Sequence, residues 1–299
     1  MPPAGSDWRH RAGLAGPGGG GAALIEDLKE LWRYRDLVRS LVLRDLAVRY
    51  KNSVLGFFWS LANPLVQVAT ITIVFKYVLN IGIPNYSAYV LCAFLPWMFF
   101  QMTLSDAGES VLRHLDLLKK VYFPREALPI SVALANLVHL LLALAVFFVY
   151  LLALGVAVEP GWMVLPLALG LQLSLNLGLA FFVSALSVFY EDIRYIVGVG
   201  TSLFFYFCPV IYLSEQILVS GKIPAGLRER IWEVYHWNPM ATFLEWYRQL
   251  LLPRFAGKGI DDVPLAAHHL LIAAAVSLGT LVAGYAFFNN RKWLFAERP

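Results

Sequence analysis

The sequence predicts an all-α polytopic membrane protein: six transmembrane helices, an N-terminal amphipathic interface helix, and short re-entrant or gate helices on the outer face. Three observations carry that fold class. Of 299 residues, 59% are hydrophobic and 15% charged, and the mean hydropathy is +0.63, whereas soluble domains run at about 25% charged and 45–50% apolar. Stretches apolar enough to cross a hydrocarbon layer of about 30 Å recur along the chain. Nine Trp, fourteen Tyr and twenty Phe exceed what a small core needs and suit aromatic belts at two headgroup layers. This composition argues against a water-soluble enzyme. A net charge of +4 and a pI near 9.0 do not point to nucleic acid either. No soluble basic domain is present to bind it, and Lys and Arg of membrane proteins gather beside cytoplasmic span ends.

The elements follow in order. Residues 1–23 are rich in Gly, Pro and Ala, with glycines running from Gly18 to Gly21; they predict a flexible tail rather than a signal peptide. Over 24–50, Leu24, Leu28, Leu31, Val38, Leu41 and Val42 recur near helical spacing, while Glu26, Lys29, Glu30, Arg33 and Arg39 take other faces. That pattern predicts a helix in the interface plane, anchored by Trp32 and Tyr34; packing on a soluble partner would produce the same pattern. Six spans are expected near 54–79, 86–104, 128–154, 162–189, 195–213 and 264–288, the fifth being the shortest. Pro64, Pro96, Pro166 and Pro209 fall inside or near the ends of these spans, where neighbouring helices can satisfy the freed carbonyls. The segment 214–254 is too apolar for a plain solvent loop, and Gly221, Pro224, Gly226 and Pro239 divide it into lengths suited to short re-entrant or interfacial helices. A peripheral cap is the other reading. The transmembrane domain is thus expected over 24–289, with residues 290–299 as a tail.

An even number of spans puts both termini on one face. Seventeen of the 24 Lys and Arg then lie on that face: nine before the first span, four between the second and third, Arg194, and three in the tail. The loops near 81–85 and 155–161 hold none. The positive-inside rule therefore predicts cytoplasmic termini. Lys76 is close enough to the outer end of the first span to snorkel.

Four strings carry chemistry. RDLAVRYKNSVLGFFWSLANPL, from Arg44 to Leu65, places Arg44, Arg49 and Lys51 at headgroup level, where each cation gains about 1 kcal/mol from anionic lipid, and follows them with Phe57, Phe58 and Trp59. LLKKVYFPREALPIS, from Leu117 to Ser131, predicts a short helix stopped by Pro124 before Pro129 enters the first turn of the third span. Clamped between two spans, such a helix can dock into a groove of a partner. FYEDIRYI, from Phe189 to Ile196, places Glu191, Asp192 and Arg194 at a turn between apolar helices, where charges are expected without catalysis. HWNPMATFLEWYRQLLL, from His236 to Leu252, closes the outer segment.

Together these strings resemble the permease subunits of ABC-2 type exporters, within them the polysaccharide and teichoic acid branch, over about residues 24–288. The resemblance implies a homodimer working with two copies of a separate ABC ATPase, which binds ATP and Mg; this chain itself would carry no cofactor. It implies export of a lipid-linked polysaccharide (O antigen, capsule, galactan or teichoic acid) across the bacterial cytoplasmic membrane. Arg44, Arg49 and Lys51 would meet the lipid diphosphate. Phe57, Phe58, Trp59, Tyr89, Trp97 and Phe100 would wall a pathway on which sugar rings slide. Leu117, Leu118, Lys119, Lys120, Tyr122 and Phe123, with Glu191, Asp192 and Arg194, would couple to the ATPase. Trp232, Tyr235, Asn238, Pro239 and Arg248 would form the outer gate. The glycine-rich tail departs from the family pattern, which begins near the interface helix.

Other chemistry finds no anchor. The phosphate-binding pattern GxxxxGK[ST] is absent, as are HExxH, GxSxG and paired CxxC. Cys92 and Cys208 sit in apolar stretches as small hydrophobes, His139 is expected to hydrogen-bond between helices, and His268 and His269 to lie at the interface. The alternatives are a membrane transferase or ligase using Glu215, Glu229, Arg230, Glu233, His236 and Arg248, or a small-molecule exporter of the same fold.

Overall fold

The computed structural model describes residues 32–50, 57–79, 83, 85–114, 123–157, 159–253, 256–257, 260–261 and 263–296; side chains at 50, 57–61, 256–257, 260–261 and 296 are outside that description. The expected tail 1–23 and the start of the interface helix lie outside it. So do Lys51, Leu117, Leu118, Lys119, Lys120 and Tyr122, together with the side chains of Phe57, Phe58 and Trp59.

Helix α1 (Arg35–Tyr50) opens with Asp36 and closes with Arg49, charges that complement the helix dipole at each end. Its Val38 and Leu41 are buried with Val111, Phe123, Leu128, Phe288 and Phe295, while Leu43 and Val48 face outward. Helix α2 (Phe57–Thr72) contains Pro64 and loosens into a π-helical turn over Ile73–Val78. Helix α3 (Tyr86–Ser110) follows Asn85, whose positive φ of 47° is the left-handed conformation that Asn tolerates better than most residues. Helix α4 (Ala127–Ala153) is mostly apolar, with Asn136 and His139 buried along it, and stops at Gly155, φ 75°. There Val156 N–H donates to Leu151 C=O and Gly155 N–H to Leu152 C=O, both at 3.0 Å, the paired bonds of a Schellman cap.

Helix α5 (Leu165–Phe189) is entered through a 3-10 turn at Pro160–Val164 with Pro166 in its first turn, where a missing N–H costs nothing. Helix α6 (Ile193–Phe207) is followed by α7 (Gln216–Val219), α8 (Ala225–Tyr235), α9 (Pro239–Leu251) and α10 (Ala267–Arg291). A minimal antiparallel pair, Ala256–Gly257 with Ile260–Asp261, links α9 to α10. Among the described residues the architecture is otherwise helical.

Helix α3 is the hub, packed by α2, α4, α5, α6 and α9, and its buried residues occupy every face. Helices α5 and α10 make the closest pair. A Cβ built on Gly284 would collide with the Gly178 carbonyl oxygen, and one on Gly178 would stand 2.5 Å from the Thr280 carbonyl. Small residues permit that approach between helices in lipid.

Among the described residues, four helices are long and apolar enough to cross a membrane: Tyr86–Ser110, Ala127–Ala153, Pro160–Phe189 and Ala267–Phe295; Ala62–Val78 and Ile193–Phe207 are apolar but shorter. The chain is thus a multi-pass membrane protein. The expected second span is extended to Ser110. The expected fifth span, 195–213, is corrected: the helix ends at Phe207, and its 15 residues rise only about 22 Å. The cause is Pro209, which disfavours the helical region for the residue before it; Cys208 is extended at φ −105°, ψ 146°.

The helices share two ends. Lys292 Nζ lies 2.5 Å from Glu126 Oε1, and the Phe189 and Phe295 rings are 5.9 Å apart, so the end of α10 meets the start of α4 and the end of α5 at one end. That end also carries α1, Arg113 and Arg194, and is called the basic end. At the opposite end Ser87 Oγ meets Tyr150 OH at 2.7 Å, Phe148 stacks on Trp162 at 4.7 Å, and α7 to α9 gather.

Candidate functional site

Each end carries a polar assembly. At the basic end, Arg49 donates from Nη2 to Asp106 Oδ2 at 2.8 Å and from Nη1 to Asn136 Oδ1 at 2.9 Å, and Asn136 Nδ2 donates to the same Asp106 oxygen at 3.0 Å. This triangle ties α1 to α3 and α4. One turn earlier, Arg44 donates to Asp45 Oδ1 at 2.9 Å and approaches His114 Nε2 at 2.5 Å. His114 Nδ1 lies 2.7 Å from the Ser110 carbonyl, which can only accept. The Nδ1 proton therefore goes to the carbonyl, and Nε2 offers its lone pair to Arg44. A cavity of about 450 Å³ opens here, lined by Arg44, Arg49, Arg113 and His114 with Asp106 and Ser110. Arg113 pairs with Glu109 one helical turn away.

At the opposite end the chain leaves helical geometry at Cys208 and runs irregularly to Ser214. In lipid such backbone must find internal partners. Val210 C=O accepts Arg248 Nη2 at 2.8 Å, Ile211 C=O accepts Tyr86 OH at 2.6 Å, and Tyr212 C=O accepts Tyr89 OH at 3.4 Å. Arg248, 3% exposed, also reaches Glu245 Oε2 at 3.4 Å and lies 3.6 Å over the Tyr89 ring, a cation–π contact in a dry setting. Helix α9 is further held by a buried relay: Tyr247 OH donates to Gln172 Oε1 and Gln172 Nε2 to the Pro96 carbonyl, both at 2.8 Å.

Outside this core, α8 faces the start of α10. His268 Nε2 and His269 Nε2 lie 3.0 and 2.8 Å from one oxygen, Glu233 Oε2. These N–H donors, His268 foremost, hold the Glu233 carboxyl below the usual carboxylate range. His236, fully buried, donates from Nδ1 to Trp232 C=O at 2.9 Å, and burial pushes its imidazole down to about 4. A cavity of about 880 Å³ lined by Arg228, Glu229, Arg230, Trp232, Glu233 and Trp237 opens beside them.

The sequence-predicted residues divide among these places. Arg44 and Arg49 stand together at the basic-end cavity, with Arg49 engaged between helices rather than free at headgroup level. Tyr89, Trp97 and Phe100, expected as pathway walls, are all buried within the protomer, Trp97 against Phe204 and Phe205 at 5.9 and 5.5 Å, because α3 is enclosed on every side. Phe123 is likewise core, packed in the cluster with Val38 and Phe295, not an exposed docking side chain. Glu191, Asp192 and Arg194 are exposed at the basic end, the Arg194 stem lying beside Gly108.

Of the gate residues, Asn238 caps α9, its side chain accepting from Met240 N–H at 3.0 Å, with Pro239 in the first turn. Tyr235 OH meets Tyr212 OH at 2.9 Å, Trp232 is buried under His236, and Arg248 is the interior clasp. The carboxylates and bases proposed for a transferase do not converge: Glu215 and Arg248 are buried, whereas Glu229 and Arg230 are exposed on α8. Cys92 and Cys208 are free and buried, as expected. Sequence reasoning missed Asp106, Asn136, Gln172 and Glu245. Their signal was a polar residue inside an apolar stretch, which in membranes marks an interior partner.

Residues 36–252 match the family described as "ABC-2 type transporter". The chain is 31% identical over 276 residues to the O-antigen export system permease protein RfbA of Myxococcus xanthus, covering 92% of this chain and 99% of that protein. It is 28% identical to the RfbA permease of Klebsiella pneumoniae, covering 88% and 94%, and 20% identical to the polysialic acid transport protein KpsM of Escherichia coli, covering 85% and 93%.

Proposed function

The chain belongs to the ABC-2 type transporter family, and from that premise we propose that it is the permease subunit of an ATP-driven exporter of lipid-linked polysaccharide in the bacterial inner membrane. Relatives spanning nearly the whole chain carry the names O-antigen export permease and polysialic acid transport protein, which supports this substrate class. The observation that carries the mechanism is the basic-end cavity of about 450 Å³ with Arg44, Arg113 and His114 in its wall. Cations there attract a phosphate anion, and guanidinium groups match its geometry.

In this reading the transmembrane domain occupies 24–289, both termini and the basic end are cytoplasmic, and Lys51 belongs with Arg44 and Arg49 to the set of cations that meets the lipid diphosphate. ATP and Mg2+ belong to a separate ABC ATPase, two copies of which meet the segment around Leu117 to Tyr122 and the turn at Glu191, Asp192 and Arg194. The chain acts as a homodimer. Helix α6 supports this, since Thr201 is its only buried residue and Ile196, Val199, Leu203 and Phe207 are exposed, leaving a face for a second copy. Phe57, Phe58 and Trp59 at the start of α2 are the aromatic track, on which sugar rings slide without one fixed hydroxyl pattern.

The test is purification of the tagged chain from its own cells. An ABC ATPase copurifies, vanadate inhibits hydrolysis, and deletion of the permease leaves lipid-linked polymer on the cytoplasmic side. Sugar transfer by the isolated chain without nucleotide would establish the transferase reading instead. Intracellular accumulation of a small solute with normal surface polymer would establish a small-molecule exporter.

A further inference from the structure

The geometry points to a site for one divalent transition-metal ion of the zinc class formed by Glu233, His268 and His269, tying α8 to the start of α10. Among the described residues this is the group of Glu and His whose ligand atoms close within 4.8 Å of one another. Two imidazoles and one carboxylate are the donor set that zinc accepts with a fourth position left to water, while calcium and magnesium prefer oxygen alone. Ligands 2.0–2.1 Å from a tetrahedral ion stand about 3.3 Å apart. The two nitrogens now lie 3.0 and 2.8 Å from Glu233 Oε2, so an ion requires them to separate from it by about half an ångström.

Proton placement is compatible with the loaded form. Without a metal, both histidines must carry their proton on Nε2 to donate to Glu233. His269 Nδ1 then presents a buried lone pair with no partner, and His236 Nε2 is another buried atom without one. His236 cannot serve as donor while neutral, because its proton sits on Nδ1, committed to Trp232 C=O at 2.9 Å. A metal on His269 Nε2 moves that residue's proton to Nδ1. His269 Nδ1–H is then a donor on the ring next to His236, with centroids 5.2 Å apart, and a bond to His236 Nε2 requires the two rings to close up, since neither atom has a partner as they stand. Outer partners of this kind fix the tautomer and ring orientation of metal-bound histidines. Access is from solution: Glu233 lines the cavity of about 880 Å³ and His268 is half exposed, while His269 closes the site from within.

The experiment uses the full chain in detergent, stripped with a chelator and titrated with Zn2+ against a chromophoric competitor, with thermal unfolding followed in parallel. One Zn2+ per chain, a higher Tm, and visible absorption of tetrahedral Co2+ in its place are expected. Glu233→Gln and His268→Ala each lose at least tenfold in affinity, about the minimum seen when even outer partners of metal ligands are removed. His268 is exposed enough that its replacement leaves no buried void, so a misfolded His269→Ala would not obscure the result. Absence of Zn2+ binding, binding unchanged in both variants, or equal stabilisation by Mg2+ would overturn the site.

Discussion

Two arginines clamp helices at the two ends of the molecule, and they do so in different surroundings. Arg248 and Glu245 are each 3% exposed, and the guanidinium is enclosed by Tyr89 and the unwound backbone after α6. Arg49 and Asp106 are 26% and 27% exposed beside a cavity. In the dry setting the charges interact through a low dielectric, but removing one partner strands the other at high cost. In the wet setting water can replace a lost partner, so the same contact is cheaper to break and remake. The opposite end is therefore built as a fixed clasp, and the basic end as a joint that can adjust when α1 moves.

Breaking the dry clasp has the largest expected effect. Arg248→Ala should destabilise by about 3–5 kcal/mol, the range for stranding a buried charge, measured by unfolding in a single detergent. Arg248→Met combined with Glu245→Met should recover much of that loss; a double variant as unstable as the single one would mean the clasp acts by shape and not by charge. Next in size is the contact joining the two ends. Gly284→Ala must displace the Gly178 carbonyl, which collides with the new Cβ position, and overpacking of this kind costs about 1–3 kcal/mol. Separation of α5 from α10 by cysteine crosslinking would report it.

Arg49→Ala should cost about 1–2 kcal/mol, from lost charged hydrogen bonds partly replaced by water. Its penalty should shrink as salt rises, whereas that of Arg248→Ala should not. Equal salt dependence would remove the distinction between the two ends. The smallest stability effect belongs to Arg44→Ala, under about 0.5 kcal/mol, because the side chain is exposed. Stimulation of ATP hydrolysis by a polyprenyl-diphosphate-linked sugar should nonetheless fall, and an unchanged response would remove Arg44 from headgroup binding.

Much of the fold is legible in the sequence because each apolar stretch fixes its own helix. Some breaks are legible as well: Pro239 starts α9 behind its Asn238 cap, and Gly155 falls in the expected loop that ends α4, whereas Pro209 was read within a span to 213 and in fact stops α6 at Phe207. Helix α3 shows the limit. It is apolar on all faces, so no periodicity indicates which rings face lipid, a pathway or the core. Tyr89, Trp97 and Phe100 were expected along a pathway for that reason, and five packing neighbours place them inside. The cluster of Glu233, His268 and His269 was hidden differently. His268 and His269 read as interfacial residues, since nothing near them in the chain signals Glu233, 35 and 36 residues away.

By itself the sequence determined the membrane class, the order and approximate ends of the helices, the gathering of Lys and Arg beside particular spans, and the likeness to a transporter family. Those properties depend on composition and on backbone periodicities that span a few residues. Only the tertiary structure decided the partners: Arg49 with Asp106 and Asn136, Arg248 with the backbone of Tyr89 across 159 residues, and Glu233 with two histidines. Such pairings depend on which helices pack together and how closely. In α5 and α10 that closeness is set by two glycines whose role appears only when their backbones touch.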